Sequence, residues 1–124
     1  MMIRGIRGAT TVAENSVTAI EEATIALLEE LFRENKLEAD AITSIFFSAT
    51  ADVNACFPAK VVRTFKGFEY VPVISMVEMD VPKALPLCIR IMLHCDTTIA
   101  QSDVHHAYQK GAQHLRPDLS QKEV

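Results

Sequence analysis

Apolar and polar positions follow recognisable periods along most of the chain, and each period predicts an element. Residues Met2 to Val12 are short and partly β-branched, and read as a strand. Asn15-Ser16-Val17-Thr18 then offers several helix N-caps, of which Thr18-Ala19-Ile20-Glu21 has the form of a capping box with Glu21 reaching back. Ile20, Ala23, Leu27, Leu28 and Leu31 recur at helical spacing, while Glu29, Glu30, Arg33 and Glu34 take the solvated side. This is the one long helix, with Asn35 as its stop. Ile42 to Thr50 is rich in β-branched and aromatic residues and predicts a second strand. Strict alternation sets Ile42 and Phe46 on one face and Ile45 and Phe47 on the other, so both faces are apolar.

Shorter pieces make up the second half. Pro58 fits the first position of a short helix to about Lys66, with Gly67 just past its end. Tyr70 to Ser75 predicts a third strand, at an edge because Pro72 lacks an N–H. Cys88 to Cys95 predicts a fourth, Ser102 caps a short helix through about Tyr108, and Ala112 to Leu115 forms a last strand. The expected order is β-α-β-α-β-β-α-β, a mixed α/β or α+β domain with a single sheet. Strands apolar on both faces need cover on both, and one long helix covers one. A second copy of the chain is the simplest remaining cover, so a homo-oligomer is expected.

Composition narrows the class of molecule. With 124 residues, 49% of them hydrophobic and 23% charged, the chain suits one globular domain and excludes a disordered one. The formal net charge is −4, and residues 14–38 hold seven acids (Glu14, Glu21, Glu22, Glu29, Glu30, Glu34, Glu38) against Arg33 and Lys36. The negative total therefore belongs mostly to the long helix and its flanks. Without a Lys/Arg block, no nucleic-acid partner is expected. No apolar run approaches the ~18 residues that span a bilayer, so no membrane is expected either. Arg4 and Arg7 interrupt the apolar stretch a signal peptide requires, and the three cysteines (Cys56, Cys88, Cys95) are odd in number. A soluble, cytoplasmic protein is the expectation.

Most catalytic chemistries find no constellation here. His94 and Cys95 are adjacent on a strand and point to opposite faces, His105 and His106 are adjacent as well, and no CxxC or HxxxH spacing occurs, so no metal or other cofactor is expected. There is no G-x-S-x-G elbow, and Gly5 and Gly8 alone make no phosphate loop. What stands out is arginine in apolar surroundings. Arg90 interrupts Cys88-Ile89-Arg90-Ile91-Met92-Leu93 and shares a face with Cys88, Met92 and His94; Arg7 shares one with Ile3 and Gly5. A half-buried guanidinium requires an anion. That anion is either a structural carboxylate such as Glu78 or Asp80, or a ligand.

Several blocks, in order, resemble one family. They are Met2-Ile3-Arg4-Gly5-Ile6-Arg7-Gly8-Ala9-Thr10-Thr11, Ser48-Ala49-Thr50, Phe57-Pro58-Ala59-Lys60 with Arg63, and Glu78-Met79-Asp80-Val81-Pro82. Leu85-Pro86, Cys88-Ile89-Arg90, His106-Ala107-Tyr108 and Leu115-Arg116-Pro117-Asp118-Leu119 follow. Together they are similar to the AroH-class chorismate mutases, small monofunctional trimeric enzymes. The resemblance implies a five-stranded mixed sheet with one long and two short helices, three copies forming a pseudo α/β barrel. It implies a single domain over 1–116 with a polar tail over 117–124.

The reaction so implied is the Claisen rearrangement of chorismate to prephenate, towards phenylalanine and tyrosine. It needs neither nucleophile, base nor metal, only a held conformer and stabilised charge. By the same resemblance Arg90 reaches the ether oxygen and a carboxylate, and Glu78 accepts from the ring hydroxyl. Arg7 and Tyr108 hold a carboxylate. Ile74, Ser75, Met76 and Val77 line the wall, Phe57, Lys60 and Arg63 form the rim, and Leu115 and Arg116 close over it, with the pocket between subunits. Ser75, where relatives often have cysteine, Lys83 in place of a small residue, His105 at an often basic position, and Gln113-His114 in a commonly apolar strand depart from the pattern. Two rival readings are a trimeric binding protein for a small carboxylate, and a hydrolase or deaminase on a related scaffold. The former needs no ether-oxygen donor, and the latter lacks a positioned nucleophile or base.

Overall fold

The computed structural model describes residues 2–115. Strands β1 (Met2–Thr11), β2 (Ile42–Ala49), β3 (Val73–Val77), β4 (Cys88–Thr97) and β5 (Ala107–Tyr108) form one five-stranded sheet in the order β3-β2-β4-β1-β5. β4 runs antiparallel to both β1 and β2, while the two outer pairs, β2 with β3 and β1 with β5, are parallel. The expected mixed sheet on an α+β chain is therefore present. Helix α1 (Val17–Glu34) lies on one face, burying Ile20, Ala23, Leu27, Leu28 and Leu31. Against it stand Ile6, Ile45, Phe47, Ile89, Ile91 and Leu93, the alternating residues of three strands. Gly8 permits this close approach, because a Cβ there would lie 3.0 Å from Leu31 Cδ1 and 3.2 Å from Leu27 Cδ1.

Local chemistry moves several expected boundaries. The N-cap is Ser16, whose hydroxyl accepts from Ala19 N at 3.1 Å, and not Thr18. Ser16 keeps extended backbone while its carbonyl already receives Ile20 N at 3.0 Å, so the helix begins before the capping-box sequence. Glu21 instead pairs with Lys60 at 3.3 Å. The register of β2 against β4 shifts between Ile42 and Ser44. One extra residue reverses the alternation, so Ile42, opposite Cys95, joins Ile45 and Phe47 on the helix-covered face. The other face of β2 then carries Ser44, Phe46 and Ser48 and is only partly apolar.

The element after Pro58 is a 3-10 helix, Pro58–Thr64, and Gly67 falls in the following turn at φ +87°. Phe65 and Phe68 from this stretch pack on Phe32 of α1, with ring centroids 5.3 and 4.8 Å away. β3 starts only after Pro72, whose carbonyl accepts from Ile45 N at 3.0 Å, and Tyr70 lies outside it. The largest differences are near the C-terminus. Ser102 sits inside a three-residue 3-10 turn, Gln101–Asp103, and caps nothing; Tyr108 lies in a strand, and Lys110–His114 is a 3-10 helix where a strand was expected. That helix packs across the second face of β1, where Ala9, Tyr108 and Ala112 are buried with Leu85 and Leu115 against them. Farther along, Ile3 and the β3 residues Ile74 and Met76 remain about half exposed, as the unmatched second face predicts.

Candidate active site

Sheet register brings the two unusual arginines together. On the face away from α1, Arg7 stands opposite Met92, Ala9 opposite Arg90, and Tyr108 beside Ala9. Arg7 and Arg90 are thus diagonal neighbours on adjacent strands, within reach of one small anion. They line a cleft of about 460 Å³ with Ser48, Met92, Tyr108 and Leu115. That volume is ordinary for a small-molecule site.

Glu78 completes the arrangement from the far side of β2. Its N–H donates to Ala49 O at 2.9 Å, extending the β2–β3 pairing by one residue. One carboxylate oxygen accepts from Ser48 Oγ at 2.8 Å, and the other lies 3.4 Å from Arg90 Nε. Of the two carboxylates open as partners from sequence, Glu78 is the one in contact. The contact is a charge pair rather than an aligned hydrogen bond, since Arg90 Nε is buried with its donor unmatched. A buried guanidinium N–H left in this way is costly unless a further acceptor reaches it. Burial pushes the Cys88 thiol up, although Arg90 nearby opposes the shift, and burial raises Cys95 and Cys56 too. These thiols stay protonated near neutrality and offer no ready nucleophile. Among the described residues no group of three or more His, Cys, Asp or Glu side chains is placed to hold a metal, and no helix is long and apolar enough to cross a membrane.

Two supports of the cleft went unread in the sequence. His106 accepts the Arg7 N–H on Nδ1 at 3.0 Å, fixing β1 to the start of β5. Asp52 takes both its oxygens to Leu87 N, at 3.0 and 3.2 Å, and accepts the Thr50 hydroxyl; Thr50 Oγ1 receives Cys88 N at 3.0 Å. This clasp holds Leu87 at φ +50°, one residue before β4, and so sets where Arg90 emerges. It also keeps the Asp52 carboxyl below its usual range, chiefly through the Thr50 hydrogen bond. Lys83 adopts φ +68°, a left-handed conformation that is uncommon for a residue carrying a Cβ.

The remaining expected site residues lie elsewhere. Phe57, Lys60, Arg63 and Ser75 line a hollow of about 390 Å³ beyond the β3 edge. Phe57, Lys60, Ser75, Met76 and Val77 line a larger one of about 730 Å³ beside it. Ile74 stands on the open sheet face opposite Phe46. Within one chain none of these lines the Arg7–Arg90 cleft. Lys60 is held by Glu21, and Phe57 is 72% exposed with no cover. Arg116 and the tail over 117–124 lie outside the described residues.

Comparison with known proteins identifies the family and matches the fold. The family model for chorismate mutase type I matches residues 3–119. Chorismate mutase AroH of Bacillus subtilis (strain 168) is 46% identical over 120 residues, covering 97% of this chain and 94% of the relative. Chorismate mutase AroH of Thermus thermophilus is 39% identical over 119 residues, covering 95% and 97%. A solved chorismate mutase from Clostridium thermocellum superposes with a TM-score of 0.85 at 42% identity, over 88% of this chain and 96% of that one. The chain belongs to the type I, AroH-like chorismate mutases, isomerases that convert chorismate to prephenate in aromatic amino acid biosynthesis.

Proposed function

We propose that chorismate rearranges in the Arg7–Arg90–Tyr108 cleft, and that Phe57, Lys60, Arg63 and β3 of a neighbouring subunit close it in a homotrimer. The observation that carries this reading is the buried, unmatched Arg90 Nε beside Glu78. A purely structural ion pair would align its donor on the carboxylate; this one leaves a donor for a further oxygen. The separation of the cations supports the trimer. Arg7 and Arg90 line one hollow, Lys60 and Arg63 another, and the sheet face and edge between them expose Ile74, Met76 and Val77. Joining the hollows of two copies covers that apolar surface and surrounds a dianion.

In this arrangement catalysis is placement and electrostatics. Arg7 and Tyr108 bind a carboxylate and hold the flexible enolpyruvyl arm over the ring, which lowers the entropic part of the barrier. As the ether C–O bond breaks ahead of C–C bond formation, negative charge grows on the oxygen. Arg90 donates to that oxygen from a position fixed by β4, so little reorganisation is needed at the moment of reaction. Glu78, itself held by Ser48, accepts from the ring hydroxyl and faces the electron-poor ring. Ile74, Ser75, Met76 and Val77 supply the wall, and Leu115 and Arg116 the closing edge. No proton is transferred and no covalent intermediate forms, so no cofactor is invoked.

The test is loss of chorismate absorbance with purified protein, with prephenate detected as product and the solution mass measured by light scattering. Turnover with a mass of three chains supports the reading. A single-chain mass at micromolar concentration would overturn the shared site. Chorismate binding without turnover would instead favour a carboxylate-binding protein.

A further inference from the structure

Tyr108 occupies a strand of two residues, too short to fix its own position. Beyond its pairing with β1, its placement comes from α1, through groups whose chemistry the reaction does not use. Asn35, the residue after α1, is 3% exposed. It accepts His105 N at 2.9 Å and donates to His105 O and Leu31 O, each at 2.9 Å. One turn earlier, Glu30 reaches the same segment. Its Oε2 lies 2.7 Å from His105 Nε2 and its Oε1 accepts Gln109 Nε2 at 2.7 Å. An ionised carboxylate only accepts, so the His105 proton sits on Nε2. Glu30 therefore grips the chain on both sides of Tyr108, three residues before and one after. The backbone completes the hold, with Gln109 N on Ala9 O at 2.9 Å.

We propose that Glu30 is a positioning residue for substrate binding, acting through the His105–Gln109 clasp to hold the Tyr108 hydroxyl at the cleft. Glu30 is not merely part of the solvated helix face; its side chain is 24% exposed and doubly engaged. Both arms come from residues far along the chain, and both are side-chain contacts. Their loss loosens the segment, which Asn35 and the β1 backbone still hold, without removing any group from the cleft. The inference rests on the reading of Tyr108 as a carboxylate ligand.

A double-mutant cycle on the full chain tests it, with chorismate as substrate. Tyr108 contributes to binding in both ground and transition states, so Glu30→Ala should raise KM about fivefold and leave kcat within about twofold. Glu30→Gln keeps an acceptor for Gln109 and a donor for His105 in its other tautomer, and should hold KM within about twofold of wild type. In a Tyr108→Phe background no hydroxyl is left to position, so adding Glu30→Ala should change KM by less than about twofold. A full fivefold effect in that background would overturn the proposal, as would an unchanged KM in Glu30→Ala alone. If Tyr108→Phe itself leaves KM unchanged, the reading of Tyr108 falls and the inference with it. If it raises KM while Glu30→Ala does not, only the inference falls. Should Glu30→Ala fail to fold, Gln109→Ala removes one arm and is read in the same cycle.

Discussion

Replacing Arg90 by lysine keeps the charge and removes the fork. Arg90 is the third residue of β4, between Ala9 on β1 and Ser48 on β2, so its backbone position is fixed by neighbours on both sides. Its Nε lies 3.4 Å from Glu78, buried and without an aligned partner. A lysine has no nitrogen at that point of the side chain. Its single ammonium at the tip either sits on Glu78 or reaches the substrate, and cannot serve the ether oxygen and a carboxylate as a planar group does. The loss is that of one preorganised donor at a developing oxyanion, about 2.7–4 kcal/mol of barrier, or roughly 10²–10³ in kcat. KM should move much less, because the net charge that attracts the dianion is retained. Continuous chorismate-loss kinetics on Arg90→Lys, with circular dichroism to show an intact fold, measures both. A kcat within about threefold of wild type would refute the role given to Arg90.

Two further predictions concern the scaffold. Gly8→Ala places a methyl 3.0 Å from Leu31 Cδ1 and 3.2 Å from Leu27 Cδ1, so these fully buried leucines must give by a few tenths of an ångström in a packed core. The overpacking should cost about 1 kcal/mol and lower Tm by about 3–8 °C in calorimetry, and an unchanged or higher Tm would count against the packing described. Asp52 is held below its ordinary value of 3.8 in the folded chain, so its contribution is present above that pH and is lost as pH falls through the folded value. Asp52→Asn should therefore be less stable than wild type at pH 7 in urea titrations, with the gap closing below about pH 4; a gap that widens on acidification contradicts the clasp.

Long periodic segments were legible in the sequence because their side chains decide their conformation. Helix α1 and strands β1, β2 and β4 lie where the spacing of Ile20 to Leu31 and the runs around Phe47 and Ile91 predict. Segments whose conformation is set by partners distant in sequence were not. Ala107–Tyr108 is a strand only because β1 pairs with it, and the bulge that turns Ile42 inward depends on β4. The capping box was misplaced for a related reason, since Thr18 and Ser16 offer the same hydroxyl and only the backbone chooses between them. In the cleft, Arg7 and Arg90 were visible as charges on apolar faces and Glu78 as one of two carboxylates that could meet Arg90, whereas Tyr108 rested on family resemblance. Glu30 and Asn35 looked like a solvated face and a helix stop. Their partners around Tyr108 lie 70 or more residues away, and nothing local marks them.

In the proposed trimer each active site takes Arg90 from one subunit and Arg63 from the next. Arg90→Ala and Arg63→Ala proteins, each of low activity alone, can be denatured, mixed in equal amounts and refolded together. Random assembly into trimers pairs an intact Arg90 side with an intact Arg63 side at about one quarter of the interfaces. Recovery of about a quarter of wild-type chorismate mutase activity is the predicted result, and a mixture no more active than the average of its two parents would contradict the account.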